Sequence, residues 1–338
     1  MTLNRRDQIL KYIVEHFVKT AQPVGSKTLI EIYHLPFSSA TIRSEMFALE
    51  QLGYLEKTHS SSGRVPSSEG YRFYCQYLRD KNLNEEFKGM LVDVLKEKSK
   101  SIEEVVKSSC EILSHMTSLA SVVLGPNVKN ECLVSIQCIP LSSSSASIIF
   151  VTDKGYVENK TFVFDEKTSI KDLTECMKLF SDRLVGTPIY QLVDKMVSLK
   201  PVLSDYIISH DAMYKAIMET FIRFAKDRIE LYGKNELFEQ PEYSGDAKKI
   251  KELLNFLESP ENVKKYQESS SSDYKKGNIH LHIGNDNDGP DVSIVTTKLS
   301  FGDANEGTIA LVGPKRMDYD KVLSALELLD ELLKEHFR

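Results

Sequence analysis

From Asn4 to Lys19 the apolar side chains fall at Ile9, Leu10, Ile13, Val14, Phe17 and Val18 with polar residues between them, the 3.6-residue stripe of an amphipathic helix. Gln22-Pro23-Val24-Gly25 breaks the stripe, and Ser26 is expected to cap a short second helix through Ile30 and Ile32. His34-Leu35-Pro36-Phe37 ends it. Ser38-Ser39 opens a third helix, in which Ile42, Met46, Leu49 and Leu52 recur at spacings of four, three and three and must pack on the first two. Gly53 to Lys57 then reads as a strand, Ser60 to Gly63 as a flexible tip and Arg64-Val65-Pro66 as the return strand. Three helices followed by a hairpin with a basic tip is the order of a winged helix-turn-helix.

The outer side of the third helix carries Ser39, Ala40, Arg43 and Ser44 in its early turns, small groups with one guanidinium and no carboxylate among them. In helix-turn-helix proteins the second helix of the motif lies in the major groove and its N-terminal residues meet base edges. Arg43 suits guanine O6 and N7, while Ser38, Ser39, Thr41 and Ser44 are short enough to let the backbone approach. Lys27 and Lys57 suit phosphates, and Arg64, beside Gly63 and Ser62 at the expected hairpin tip, suits a phosphate or the minor groove, with His59 as a further donor. A three-helix unit alone is as readily a solvated surface; the hairpin is what favours double-stranded DNA as its partner.

Lys81 to Met116 keeps helical spacing through Leu91, Leu95, Ile102, Val105, Val106, Ile112 and Leu113, and reads as a helical connector that sets the distance between head and body. Cys132–Pro140, Ala146–Thr152 and Gly155–Phe164 read as strands of an antiparallel meander. Ser169–Leu184, Ile189–Ser198 and Asp205–Tyr232 read as helices, the last rich in Met213, Met218, Phe221, Ile222 and Phe224, apolar area that serves a shared interface as easily as a core. Lys264 to Gly277, with Ser269 to Ser272, reads as a mobile loop. Strands at Ile279–Ile283, Val292–Leu299 and Gly307–Val312 and a helix from Tyr319 to Phe337 close the chain, giving an α+β fold class.

A length of 338 residues suggests two or three domains. The net charge of -6 is unevenly spread: residues 1–80 hold ten Lys/Arg against eight Asp/Glu, and the rest 33 against 41. A mildly basic head on an acidic body fits a chain in which one module touches phosphate. No apolar run approaches a membrane span and charges begin at once, so no membrane partner is expected and the localisation reads as cytoplasmic. Five cysteines without a C-x-x-C pair read as reduced, mostly packed thiols.

Motifs of catalysis are missing: Gly-x-Ser-x-Gly, a phosphate-binding Gly-x-x-x-x-Gly-Lys and His-Glu-x-x-His do not occur, so no catalytic residue, enzyme activity or cofactor is expected. His280 and His282 share one face of a strand, but a metal needs a third ligand; two hydrogen-bonded surface imidazoles is the simpler reading. Asp286-Asn287-Asp288-Gly289 lacks the closing glutamate of a calcium loop and reads as a turn.

Several segments resemble the HrcA family of bacterial heat-inducible transcription repressors: Ser38-Ser39-Ala40-Thr41-Ile42-Arg43, Leu49-Glu50-Gln51-Leu52-Gly53-Tyr54, Ser61-Ser62-Gly63-Arg64-Val65-Pro66-Ser67, Gly70-Tyr71-Arg72-Phe73-Tyr74 and, far downstream, Ile283-Gly284 with Gly313-Pro314-Lys315-Arg316-Met317-Asp318-Tyr319. The resemblance implies a winged helix over 1–80, a helical connector and the start of a GAF-like domain over 81–130, an inserted, partly helical dimerisation region over 131–245 and the remainder of the GAF-like domain over 246–338. It implies a homodimer that binds an inverted-repeat operator, the CIRCE element, represses chaperone operons until heat releases it, and depends on a GroEL-type chaperonin to reach or keep its active form. Arg316 and Asp318 of the downstream segment are candidates for a ligand or partner contact, or for a structural cap. The chain departs from the family after Ile283-Gly284, where Asn285-Asp286-Asn287-Asp288-Gly289 stands in place of a glutamate, so no role of that glutamate carries over. Two other readings stay open: a regulator whose GAF-like domain senses a metabolite, and an enzyme of the body with the head as a docking module.

Overall fold

The computed structural model of the chain describes residues 3–57, 63–80, 85–96, 102–125, 131–163, 170–204, 210–224, 229–268, 274–284, 291–301 and 305–336. Ser62, His59, Asp286 and Asp288, singled out above, lie outside the described residues. The chain divides into two compact units, one formed by Met1–Val123, Ile229–Gly302 and Thr308–Arg338, the other by Leu124–Arg228 with Asp303–Gly307.

The first unit begins with α1 (Arg5–Thr20), α2 (Ser26–Tyr33) and α3 (Ser39–Gln51), followed by a hairpin of β1 (Leu55–Lys57) and β2 (Arg64–Pro66). Helix α1 starts where the Asn4 side chain accepts from the Asp7 N–H, and it stops where Ala21 turns left-handed at φ 55°. Ile9, Leu10, Ile13 and Val14 are fully buried, each contributing about 1.5–3 kcal/mol of burial. Leu29 of α2 and Ile42, Met46 and Leu49 of α3 complete this small core. The hairpin pairs Leu55 with Pro66, Glu56 with Val65 and Lys57 with Arg64. Val24 joins it, exchanging two backbone hydrogen bonds with Arg64 (2.8 and 2.9 Å) that fix the hairpin beside the start of α2.

Among the described residues no spacer separates this head from the rest of the first unit. Helix α4 (Ser68–Phe73) runs directly into a π turn at Tyr74–Leu78, and α5 (Glu85–Lys96) and α6 (Ile102–Thr117) pack on the C-terminal helix instead of holding head and body apart. Gly70 makes the first step possible, because a Cβ there would lie 2.1 Å from the Tyr54 carbonyl oxygen at the hairpin base. A single buried cluster runs from Ile9 and Ile42 through Tyr71, Tyr74 and Leu91 to Leu311, Leu323 and Leu326.

The second unit carries the short meander: after β3 (Ala120–Leu124), the strands β4 (Leu133–Ser142), β5 (Ser145–Thr152) and β6 (Val157–Val163) pair antiparallel in chain order. Ala146, Ile148 and Phe150 alternate into a core with Leu173 and Phe180 of α7 (Ile170–Leu184), Leu192 and Met196 of α8 (Leu192–Ser204) and Ile217 and Phe221 of α9 (His210–Phe224).

The long helix expected to reach Tyr232 ends at Phe224. Ile229–Tyr232 is a strand, β7, at the edge of the larger sheet beside β3. Its alternating Ile229, Glu230, Leu231 and Tyr232 suit a strand with one covered face. The chain continues through α10 (Lys234–Phe238), α11 (Ala247–Leu257), α12 (Pro260–Glu268), β8 (Tyr274–Lys276), β9 (Ile279–Ile283), β10 (Val292–Phe301), β11 (Asn305–Pro314) and α13 (Tyr319–His336). The six strands stand in the order β7-β3-β11-β10-β9-β8, with α13 packed on β10 and β9. Helix α12 and strand β8 occupy most of the stretch that composition alone assigns to a loop. The fold class is α+β, with helical and sheet regions and a partly helical insertion. Among the described residues no helix is long and apolar enough to cross a membrane.

Candidate nucleic-acid interface

Helix α3 begins with Ser38 as its N-cap: the Ser38 hydroxyl accepts from the Thr41 N–H (3.1 Å) and is hydrogen-bonded to the Thr41 hydroxyl (2.8 Å). These two residues therefore fix where the helix starts and how it is aimed. Ser39 sits one residue on, its hydroxyl 2.9 Å from that of Ser26. Ser26 thus ties α2 to α3 and does not cap α2 as expected; Gly25 is the N-cap, and no side chain satisfies the first N–H groups of that helix.

Arg43 is exposed and folds back on its own first turn, donating from Nε to the Ser39 carbonyl and from Nη2 to the Ser39 hydroxyl, both at 3.3 Å. Ser44 beside it is exposed. Gly25, Ser26, Lys27, Ser39, Arg43, Met46, Lys57 and Arg64 surround a groove of about 440 Å³. Among the described residues four cations and no carboxylate line it, and the uncapped start of α2 opens on it, so the groove suits an anion.

The carboxylates of α3 are held away from this groove or neutralised at its margin. Glu45 is buried and accepts from Arg5 Nε (2.9 Å) and Arg6 Nε (3.0 Å), and these hydrogen bonds, that of Arg5 foremost, hold its carboxyl below the usual carboxylate range. Glu50 accepts from Arg64 Nε at 2.7 Å. Arg64 pairs with Lys57 at the loop end of the hairpin, but its side chain is only 15% exposed. It borders the groove with its charge already shared. Gly63 is also buried, not offered to a partner, since a Cβ would come within 2.8 Å of the Pro23 Cβ. Lys27 and Lys57 are exposed on the two sides of the groove.

The downstream candidates behave differently. Arg316 is 12% exposed and donates to Glu242 Oε1 (2.7 Å), Gln240 Oε1 (3.1 Å) and the Val18 carbonyl at the end of α1. It joins the β11–α13 turn, the segment after α10 and the head. Asp318 is the N-cap of α13, accepting from the Lys321 N–H at 3.1 Å. The same joint carries a 2.6 Å hydrogen bond from the Tyr74 hydroxyl to Asp320 and one of 3.0 Å from Arg72 to the Ile283 carbonyl. Burial raises the Asp320 carboxyl above its ordinary range.

His282 is not a surface imidazole. It is 4% exposed, its Nε2 donating to the Tyr266 carbonyl of α12 at 2.9 Å, while His280 is half-buried. Among the described residues no group of three or more His, Cys, Asp or Glu is placed to hold a metal ion. Cys75, Cys110 and Cys176 are buried as packed thiols, and burial pushes the Cys176 thiol up to about 12. Sequence reasoning missed Phe47, which stands on the outer side of α3 and is 58% exposed. Its place four residues after Arg43 and outside the Ile42, Met46, Leu49 stripe is the signal that finds it.

A crystal structure at 2.2 Å resolution, described as that of a hypothetical protein, superposes with a TM-score of 0.68 at 21% identity, covering 100% of this chain and 99% of its own, and shows the fold. The HrcA protein C terminal domain family matches residues 103–323. The heat-inducible transcription repressor HrcA of Lysinibacillus sphaericus is 36% identical over 335 residues, covering 97% of this chain and 96% of that protein. An α+β chain with this small helical head and these relatives falls in the class of DNA-binding transcription repressors, a class of regulators and not of catalysts. The chain belongs to the HrcA family of heat-inducible transcription repressors.

Proposed function

We propose that the chain represses chaperone operons by binding the inverted-repeat CIRCE element as a homodimer and that heat releases it. Residues 1–80 act as a winged helix-turn-helix with α3 in the major groove, and the six-stranded sheet with its helices acts as a GAF-like domain into which Leu124–Arg228 is inserted for dimerisation. The observation that carries this reading is the convergence of Lys27, Arg43, Lys57 and Arg64 on one carboxylate-free groove beside the start of α3. Arg43 exchanges its two 3.3 Å hydrogen bonds for guanine O6 and N7. Ser39, Thr41 and Ser44 lie beside that base, and Lys27, Lys57 and Arg64, with Ser38, lie toward the sugar-phosphate backbone.

Dimerisation follows from the operator, whose two half-sites are related by a two-fold axis that a symmetric pair of heads matches. Exposed Val134, Ile139, Leu141, Val163 and Ile222 of the second unit support an apolar interface there. Because a dimer's stability depends on association, a marginal interface of this kind responds steeply to heat. A GroEL-type chaperonin that holds the repressor in its active form would link repression to the supply of free chaperonin.

The test is fluorescence-anisotropy titration of labelled intact and half-site-scrambled repeats, at two salt concentrations, with and without chaperonin. Preference of roughly a thousandfold or more for the intact repeat is expected. Equal, salt-sensitive binding to both would reduce the head to a phosphate-binding module. One observation favours a second reading, a metabolite-responsive regulator: a cavity of about 570 Å³ lies where head meets sheet, lined among others by Glu56, Tyr71, Glu242, Tyr243, Lys315 and Arg316. A melting shift with a metabolite library is its mark.

A further inference from the structure

We infer that Phe47 is a specificity-determining residue of this interface, its ring packing against the 5-methyl group of a thymine about two base pairs from the base that Arg43 meets. The inference rests on the operator reading above and adds to it a position where sequence is read without a hydrogen bond.

Helix α3 buries Ile42, Met46 and Leu49 and turns Ala40, Arg43, Ser44 and Phe47 outward. Residues three and four apart share a face, so Phe47 lies over the same strip of surface as Ser44 and Arg43, one turn nearer the C-terminus. That turn advances about 6 Å along the helix, against about 3.4 Å per base pair, which sets the reach of about two base pairs. Around Phe47 the outward face is small or polar. Among the described residues the other large exposed apolar side chains of the head, Leu3, Ile32, Leu52 and Tyr77, lie before α1, on α2, at the end of α3 and on the π turn.

A phenyl ring 58% exposed gives up burial that a position in the core would supply. It regains that burial once the cations of the groove draw a duplex over this side of α3. The major groove offers one apolar group on a base edge, the thymine methyl, and aromatic contact with it distinguishes thymine from cytosine. The exposure also makes the position a clean probe, since removing the ring leaves no cavity in the core.

The experiment uses the full-length protein and two labelled duplexes, the CIRCE repeat and the same repeat with deoxyuridine for every thymine, which deletes the methyl groups and leaves base pairing intact. The unsubstituted protein should bind the thymine duplex about fourfold more tightly for each buried methyl, on the order of tenfold for a symmetric dimer. Phe47→Ala should bind the thymine duplex more weakly by that factor, with the ratio between duplexes falling toward one and an unchanged thermal melt, while Phe47→Leu should keep part of the ratio. A ratio that is near one in the unsubstituted protein, or that survives intact in Phe47→Ala, overturns the inference and leaves the operator reading standing. If the unsubstituted protein does not prefer the repeat to a scrambled duplex, the operator reading fails and the inference falls with it.

Discussion

Arg43 and Arg316 both lie in segments that mark the family, and the molecule uses them in opposite ways. Arg43 is exposed on α3, its guanidinium resting on Ser39 through two bonds of 3.3 Å to neutral oxygens one turn away. Arg316 is 12% exposed, its donors directed at a carboxylate, an amide and the Val18 carbonyl, all from segments distant in sequence. A base edge or a phosphate is a better acceptor than the ones Arg43 would give up, so the exchange favours recognition. Arg316 has nothing to gain from exchange, because leaving would orphan acceptors at a packed joint. What separates a reading residue from a fastening one is the quality and origin of its acceptors in the free protein.

Removing the fastening residue should have the largest effect. Arg316→Ala is expected to cost about 2–3 kcal/mol of stability in urea denaturation, below the roughly 3–5 kcal/mol of a fully buried pair because Glu242 stays a third exposed. Arg316→Lys should recover less than half, since one ammonium cannot reach Glu242, Gln240 and Val18 together. A loss under about 0.5 kcal/mol for Arg316→Ala would dissolve the distinction between the two arginines. Arg43→Ala should leave the denaturation midpoint within about 0.5 kcal/mol of the unsubstituted protein and cost about 1–3 kcal/mol in binding at one base position. Equal losses on operator and random duplex would remove Arg43 from base reading. Smaller again, Lys27→Ala should weaken all sequences alike and flatten the dependence of log affinity on log salt by about one. An unchanged slope would take Lys27 off the phosphates.

Much of the head was legible in the sequence because its signals are local. The stripe of Ile9, Leu10, Ile13 and Val14 and the serines opening α3 each report on structure within a few residues. The hairpin was legible as an element but not in its detail. Whether Arg64 is offered outward or turned in depends on its ion pair with Glu50 and its pairing with Val24, and Gly63 answers to Pro23, contacts fourteen to forty residues away. The body was harder for the same reason. Strand β3 is five residues of Ala, Ser, Val, Val and Leu without clear alternation, and β7 reads as the tail of a helix until its partner β3, over a hundred residues earlier, is known. The expected insert therefore ran to residue 245, past a strand that belongs to the larger sheet. At the site, the signal for Phe47, its place outside the Ile42, Met46 and Leu49 stripe, was in the sequence but was not used, and the burial of those three is what turns it outward.

Glu45 marks the border between the two kinds of arginine, and its titration yields the smallest effect. Arg5 and Arg6 belong to the basic head by sequence, yet both are spent on Glu45, which joins the start of α1 to α3 and keeps a carboxylate off the outward face. The folded carboxyl titrates below its ordinary value, so its stabilising contribution is fully present above the unfolded value of about 4.3 and is lost as pH falls through the folded one. Because both arginines are about half exposed, solvent screens much of the attraction, and the contribution is modest. The urea midpoint of the unsubstituted protein should exceed that of Glu45→Gln at pH 7, with the difference closing as the pH is lowered from about 5 toward 3. A difference that stays constant over that range would mean that Glu45 serves by shape and neutral hydrogen bonding, and that the charges of Arg5 and Arg6 remain available to a duplex.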